Sequence, residues 1–188
     1  MSIAPLPSDL LLKQFPFMPT ASQGRFFGKM NDFLVEEPGL ERYRDTFILK
    51  GYAGTGKTTL ISTLIRVARQ FGFKSVLLAP TGRAAKVMPN YSGKKAFTIH
   101  KKIYKQTADP YTGSLSFERQ PNYSEGTIYI VDEASMISDE ADFGRRSVLS
   151  DLIDYVFETP TNKLIFVGDT AQLPPVGKSE SPALQPEF

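Results

Sequence analysis

The chain has 188 residues, 41% of them apolar, which suits one α/β domain with a real core and excludes disorder for its bulk. Its 22 basic residues nearly cancel its 20 acidic ones, so a net charge of +2 gives no general affinity for nucleic acid and any basic surface must be local. The absence of cysteine excludes a disulfide framework and thiolate metal sites, and a single histidine, His100, excludes a histidine-based one.

No apolar run approaches the length of a membrane span, and residues 1–12 lack the basic start of a signal peptide, so a cytoplasmic protein is expected. Residues 1–19 carry Pro5, Pro7, Pro16 and Pro19 among short apolar clusters, which predicts an extended arm rather than a regular element. Thr20 is a good N-cap, and Phe26, Phe27, Met30, Phe33 and Leu34 recur at helical spacing, so a helix is predicted over 21–35. Gln23, three residues past the cap, reads by itself as solvated surface. A charged segment with Pro38-Gly39 then connects to a strand over 46–50.

That strand runs into Gly51-Tyr52-Ala53-Gly54-Thr55-Gly56-Lys57-Thr58-Thr59. Gly51, Gly56, Lys57 and Thr58 satisfy G-x-x-x-x-G-K-[ST], whose backbone N–H groups wrap phosphates while the lysine reaches the outer two and the hydroxyl ligates Mg²⁺. Glycines let the backbone curl around an anion, and the next helix points its positive end at the charge. The pattern arises by chance in about one chain in a hundred of this length at ordinary glycine usage. Its strand-turn-helix setting lowers that further, so ATP or GTP binding is expected. The helix is predicted over 57–71, with Leu60, Ile61, Leu64, Val67, Ala68 and Phe71 inward and Gly72 as its stop.

Continuous apolar runs at 75–79, 127–131 and 163–167 mark strands covered on both faces, so four strands with crossovers give a doubly covered parallel sheet. Sites in such sheets lie at the carboxyl ends of the strands. The four ends hold the phosphate loop, Pro80-Thr81-Gly82-Arg83, Asp132-Glu133, and Gly168-Asp169-Thr170-Ala171-Gln172. An adjacent carboxylate pair after an apolar strand suits phosphate-ester hydrolysis: Asp132 can hold Mg²⁺ through a water or Thr58, and Glu133 can polarise the attacking water. Gln172 can sense the γ-phosphate or that water. An acidic helix N-terminus would account for the pair equally well if the phosphate loop were not in the same sheet.

Between the second and third strands, Lys94, Lys95, Lys101, Lys102 and Lys105 are interleaved with Phe97, His100, Tyr104, Tyr111 and Phe117. Charge for phosphates and ring faces for bases suit a single nucleic-acid strand. A solvated loop whose rings cap the core fits the same residues. Asp109-Pro110-Tyr111-Thr112-Gly113 is a strong turn signal between 104–107 and 114–118, which predicts a projecting β-hairpin.

In order, these segments resemble the first motor domain of superfamily 1B DNA helicases of the RecD and Dda type, also known as the exonuclease V alpha-subunit family, over about residues 20–177. Residues 51–59 look like motif I, Ala79-Pro80-Thr81-Gly82-Arg83-Ala84-Ala85 like motif Ia, and Phe97-Thr98-Ile99-His100 like the Thr-Ile-His signature. Asp132-Glu133-Ala134-Ser135-Met136 is similar to motif II and residues 168–177 to motif III, whose wording sets the group apart from AAA+ ATPases and DEAD-box proteins. The resemblance implies a RecA-like P-loop NTPase domain, a mostly parallel sheet covered by helices with a small β-hairpin insertion. It implies that Gln23 reads adenine, that Gly54, Thr55, Gly56, Lys57, Thr58 and Thr59 bind ATP, and that Thr58 and Asp132 hold Mg²⁺. Glu133 would activate water and Gln172 would couple the γ-phosphate to DNA. Pro80, Thr81, Arg83, Thr98 and His100 would line a track for single-stranded DNA, and Phe117 would sit on the pin that splits the duplex.

The expected layout is an arm at 1–19, the motor domain at 20–177 with the hairpin insertion at about 101–126, and a polar tail at 178–188. The family's second motor domain, with its arginine finger, is absent from this sequence. The function expected of the whole protein is ATP-dependent 5′–3′ DNA unwinding, coupled to translocation on single-stranded DNA. The 188 residues themselves are expected to be a monomer that binds nucleotide with Mg²⁺ and hardly turns it over. An ATP-regulated nucleic-acid-binding module without motor activity, or an RNA-directed relative, remains open at this point.

Overall fold

The computed structural model describes residues 5–35, 45–88, 93–108, 113, 115–139, 146–169, 171–172, 175 and 180–185. In chain order the regular elements are α1 (Pro7–Gln14), α2 (Ala21–Val35), β1 (Thr46–Lys50), α3 (Lys57–Ala68), β2 (Lys74–Ala79), α4 (Gly82–Val87), β3 (Ala96–Thr98), α5 (Ile99–Ile103), β4 (Tyr104–Ala108), β5 (Leu115–Arg119), β6 (Thr127–Val131), α6 (Val148–Val156) and β7 (Lys163–Gly168). Five strands pair in the order β1-β7-β6-β2-β3, all parallel, and β4 pairs antiparallel with β5 as a separate hairpin. Because successive side chains leave a strand on opposite faces, each central strand feeds two cores. Leu77, Ala79, Ile128, Ile130, Ile165 and Val167 pack beneath α1, α2 and α3, while Leu78, Tyr129, Val131, Leu164 and Phe166 pack beneath α5 and α6. The expected covering of both faces is observed.

The helix over 21–35 and the strand over 46–50 lie where the periodicity places them, and the hairpin forms with Gln106 opposite Phe117. Its turn residues 109–112 and the connection at Pro38-Gly39 fall outside the described residues. Helix α3 is shorter than expected: it ends at Ala68, and a 3₁₀ turn, Arg69–Phe71, leads to Gly72 in the left-handed region at φ 86°. A fifth strand, β3, was not anticipated, because three residues are too few to show a period.

Two segments differ from expectation for a clear physical reason. The N-terminal arm contains a helix: Pro7 occupies the first turn of α1, where a missing N–H costs nothing, and Asp9 favours the positive end of the dipole. Leu11, fully buried, and Phe15 four residues on then fall on one face, and Phe15 meets Phe27 of α2 edge to face at 5.3 Å between centroids. Of the prolines that signalled extended chain, Pro7 opens the helix and Pro5, Pro16 and Pro19 lie outside it. At the other end, residues 180–185 are packed rather than a polar tail. Ser181, Ala183 and Leu184 are buried, and Leu184 presses so closely on the end of β7 that a Cβ on Gly168 would lie 2.6 Å from its Cδ1. No helix among the described residues is long and apolar enough to cross a membrane.

If the N-terminal helix belongs to the core, Leu11→Ala costs about 2–5 kcal/mol. Urea denaturation followed by circular dichroism measures this; an unchanged midpoint would make the helix an accessory to the fold.

Candidate functional site

The carboxyl end of β1 opens into the phosphate loop, whose path requires glycine: Gly54 and Gly56 sit at φ 76° and 84°, and a Cβ on Gly51 would come within 2.8 Å of Thr55 Oγ1. Several bonds hold the loop. Gly51 N–H donates to Gly168 O at 3.2 Å, and Thr55 Oγ1 donates to Tyr52 O at 2.7 Å. Lys57 folds over the loop, its ammonium donating to the carbonyls of Gly51 and, at 2.8 Å, Tyr52, with Asp169 Oδ2 4.0 Å away.

Gln23 has more structural work than a solvated surface residue. Its Oε1 accepts from Thr20 N–H at 2.9 Å while its own N–H donates to Thr20 Oγ1 at 3.3 Å, a capping box at the start of α2. Its Nε2 donates to Thr55 O at 3.1 Å, so one amide joins the helix start to the phosphate loop.

The other strand ends converge on the same place. At the end of β6, Asp132 N–H donates to Leu78 O and Asp132 Oδ1 accepts from Glu133 N–H at 2.9 Å. Glu133 is the one non-glycine with positive φ among the described residues, at 57°, a backbone state that needs support from its surroundings. Burial first and the Asp132 charge second push its carboxyl above the ordinary glutamate value, opposed by a hydrogen bond from Gln172 and by Lys57. After β7, Asp169 accepts from Ala171 N–H at 2.9 Å and Gln172 N–H donates to Asp169 O at 3.2 Å.

These residues enclose a cavity of about 440 Å³ lined by residues 53–58, Asp132, Glu133, Asp169 and Gln172, over a floor of Ile61, Leu77, Ile130 and Val167. Thr59 lines a second cavity of about 730 Å³ on the other side of the loop, with Gln23, Phe15, Phe17, Met18, Phe26 and Tyr52. Phe17, Met18 and Tyr52 are large side chains left exposed there, at 68%, 94% and 64%. Sequence reading did not single out these three, nor Asp169; an acid directly after the last strand was the available signal for the last of them.

The other candidate residues lie along the neighbouring edge. Thr81 Oγ1 caps α4 by accepting from Ala84 N–H at 3.2 Å, and Thr98 Oγ1 caps α5 by accepting from Lys101 N–H at 3.3 Å. Thr98 is in register with Ala79, so Pro80-Thr81 and Thr98-Ile99-His100 leave adjacent strand ends together. Arg83 is exposed and shares a third cavity, of about 350 Å³, with Thr81, Asp132, Glu133 and Gln172. His100 is exposed, its ring 5.6 Å from that of Tyr104, which begins the hairpin; Phe117 is 59% exposed on the other hairpin strand. The described contacts do not bring Phe117 to the cavities. Arg146 lies just ahead of α6, paired with Asp154, and no arginine lines the 440 Å³ cavity among the described residues. Arg145, Thr170, Leu173, Pro174, Val176 and Gly177 fall outside the described residues.

A carboxyl whose folded pKa is raised disfavours the folded state once ionised. That penalty is absent below the unfolded glutamate value of about 4.3 and complete above the raised value. Glu133→Gln is therefore expected to be more stable than the parent at neutral pH, with the difference closing as pH falls from the raised value to about 4.3. Thermal melts of both chains between pH 3.5 and 8 measure it; a gap independent of pH would place the cause elsewhere.

A family model described as an AAA domain matches residues 39–184. The chain is similar to the ATP-dependent DNA helicase dda of Enterobacteria phage T4, 31% identical over 159 residues that cover 83% of this chain and 34% of that protein. It is also similar to the ATP-dependent RecD2 DNA helicase of Deinococcus radiodurans, 33% identical over 132 residues, 69% of this chain and 16% of that protein. The chain thus spans about a third of the first relative and about a sixth of the second. Among solved structures, Bacteroides Pif1 bound to ssDNA superposes with a TM-score of 0.52 at 22% identity, covering 86% of this chain and 34% of that one, which shows a shared fold. The family's description does not carry the expected separation from AAA ATPases, whereas the named relatives are helicases. The chain belongs to this AAA-domain family, and its RecA-like nucleotide-binding domain is similar in sequence to part of the Dda and RecD2 helicases.

Proposed function

We propose that the chain is the ATP-binding motor domain of a 5′–3′ DNA helicase, and that the 440 Å³ cavity takes the phosphates of ATP. One observation carries this reading: the phosphate loop, the Asp132-Glu133 pair and Gln172 leave three different strands and line one cavity. Lys57 contacts the outer phosphates in place of its own loop carbonyls, and the loop amides and the N-terminus of α3 face the anion. Thr58 and Asp132 present hard oxygen donors to that cavity, a set that fits Mg²⁺, which when bound neutralises phosphate charge. Glu133, with its raised pKa, is suited to accept a proton from the attacking water. Gln172 contacts the γ-phosphate.

The base lies in the 730 Å³ cavity on the far side of the loop, where the exposed Phe17, Met18 and Tyr52 offer apolar faces and Gln23 offers an amide. DNA runs along the edge formed by Pro80, Thr81, Arg83, Thr98 and His100, and Phe117 on the hairpin meets the fork. The 350 Å³ cavity shared by Arg83 and the Asp132-Glu133-Gln172 group supports communication between the two ligands. Unwinding is assigned in this reading to a longer protein, a view supported by the small share of the two helicase relatives that the chain spans. A regulated binding module is favoured for these 188 residues alone by the lack of an arginine among the described residues that line the phosphate cavity, since such a group is worth roughly 10³–10⁵ in rate.

Calorimetric titration of ATP with Mg²⁺ tests the site: Lys57→Ala is expected to weaken binding about 10- to 100-fold, the loss of a charge-assisted contact. Normal binding by that variant would move the phosphates elsewhere. Gln23→Ala is expected to narrow the ATP-over-GTP preference and also to lower stability by about 1 kcal/mol through the lost capping box. If the parent binds ATP and GTP alike, Gln23 has only the structural part. Steady-state phosphate release should be negligible with or without single-stranded DNA; robust DNA-stimulated turnover would show that the missing positive charge is supplied within the chain or by self-association.

A further inference from the structure

Ser135 lies two residues beyond Glu133, in the 3₁₀ turn Ala134–Met136, and is 3% exposed. Its Oγ donates to Gln172 Oε1 at 3.1 Å. The turn itself is fixed from several sides. Met136 N–H donates to Glu133 O and Ile137 N–H to Ala134 O, both at 3.1 Å, and the buried Ser181 hydroxyl lies 2.8 Å from Ala134 O and 2.6 Å from Ile137 O. The Ser135 hydroxyl is thus a donor at a fixed position beside the cavity.

Gln172 is exposed, and the two ends of a primary amide are nearly equal in size, so its orientation is decided by hydrogen bonding. Its other partner, the Glu133 carboxylate, accepts only, as does any phosphate oxygen. The amide must therefore turn its NH₂ group to them, which leaves Oε1 facing a donor. We propose that Ser135 is a positioning residue for Gln172: its hydroxyl holds the amide carbonyl, so that one N–H of Gln172 meets Glu133 and the other is directed to the γ-phosphate. Without that hydroxyl Oε1 has no fixed donor, and the exposed side chain is free to swing its NH₂ group away from Glu133 and the phosphate. The buried seryl hydroxyl, in this account, decides whether the site distinguishes a triphosphate from a diphosphate. The proposal rests on the reading of Gln172 as the γ-phosphate contact.

The test measures, by calorimetry with Mg²⁺ on the 188-residue chain, the ratio of affinities for a non-hydrolysable ATP analogue and for ADP. Ser135→Ala is expected to lower this ratio about three- to tenfold, the worth of one orienting hydrogen bond. Gln172→Ala lowers it at least as far, the double variant falls no further than Gln172→Ala, and Ser135→Thr, which restores a hydroxyl, recovers the ratio. Should Ser135→Ala not fold, Ser135→Cys, a much weaker donor, gives the same comparison. A parental ratio in Ser135→Ala beside a lost one in Gln172→Ala overturns the proposal and leaves the role of Gln172 standing. Additive losses in the double variant overturn it too, because Ser135 would then act independently of Gln172. Parental ratios in all variants overturn both the proposal and the reading of Gln172 beneath it.

Discussion

Three carboxylates, those of Asp132, Glu133 and Asp169, and one lysine line a cavity whose backbone is shaped for an anion. That imbalance governs the site. Bringing a polyphosphate beside three acids is unfavourable unless cationic charge and fixed dipoles oppose the repulsion. The glycine turn, the N-terminus of α3 and Lys57 supply part of it, and the hard oxygen donors Thr58 and Asp132 admit a divalent cation for the rest. Burial first, and the neighbouring acids second, raise the Glu133 carboxyl above its ordinary value, which turns a structural cost into a group suited to accept a proton.

The fold exists to hold those charges in one place. The edge strand β1 and its neighbours β7 and β6 run parallel in adjacent positions, so the phosphate loop, Asp169-Gln172 and Asp132-Glu133 emerge side by side. Brackets from outside the sheet fix the ends. Gln23 ties the start of α2 to the loop at Thr55, Leu184 presses on Gly168, and Ser181 clamps the turn that follows Glu133. Glu133 can keep its left-handed backbone because that turn is held at both ends.

Much of this was legible in the sequence because it depends on short-range pattern. The G-x-x-x-x-G-K-[ST] spacing, the buried strands and the Asp132-Glu133 pair each declare themselves within ten residues. Helix α2 and the hairpin were legible for the same reason. The N-terminal helix was not, since its prolines signal irregular chain and eight residues are too few to show a period, the pair Leu11 and Phe15 being completed only by the residue beyond its end. The packing of residues 180–185 depends on the far ends of β6 and β7, which no local pattern reveals. For the same reason, the exposed faces of Phe17 and Met18 gain a meaning only when the loop at Tyr52 is seen opposite them.

A crystal structure of the chain with Mg²⁺, ADP and a γ-phosphate mimic tests the account most directly. It predicts the diphosphate within the glycine turn with Lys57 moved onto it, Thr58 and Asp132 on the metal side, and Glu133 and Gln172 at the mimic, with the base beside Gln23 and Phe17. Nucleotide bound elsewhere, or bound here with Glu133 and Gln172 turned away from the mimic, would contradict it.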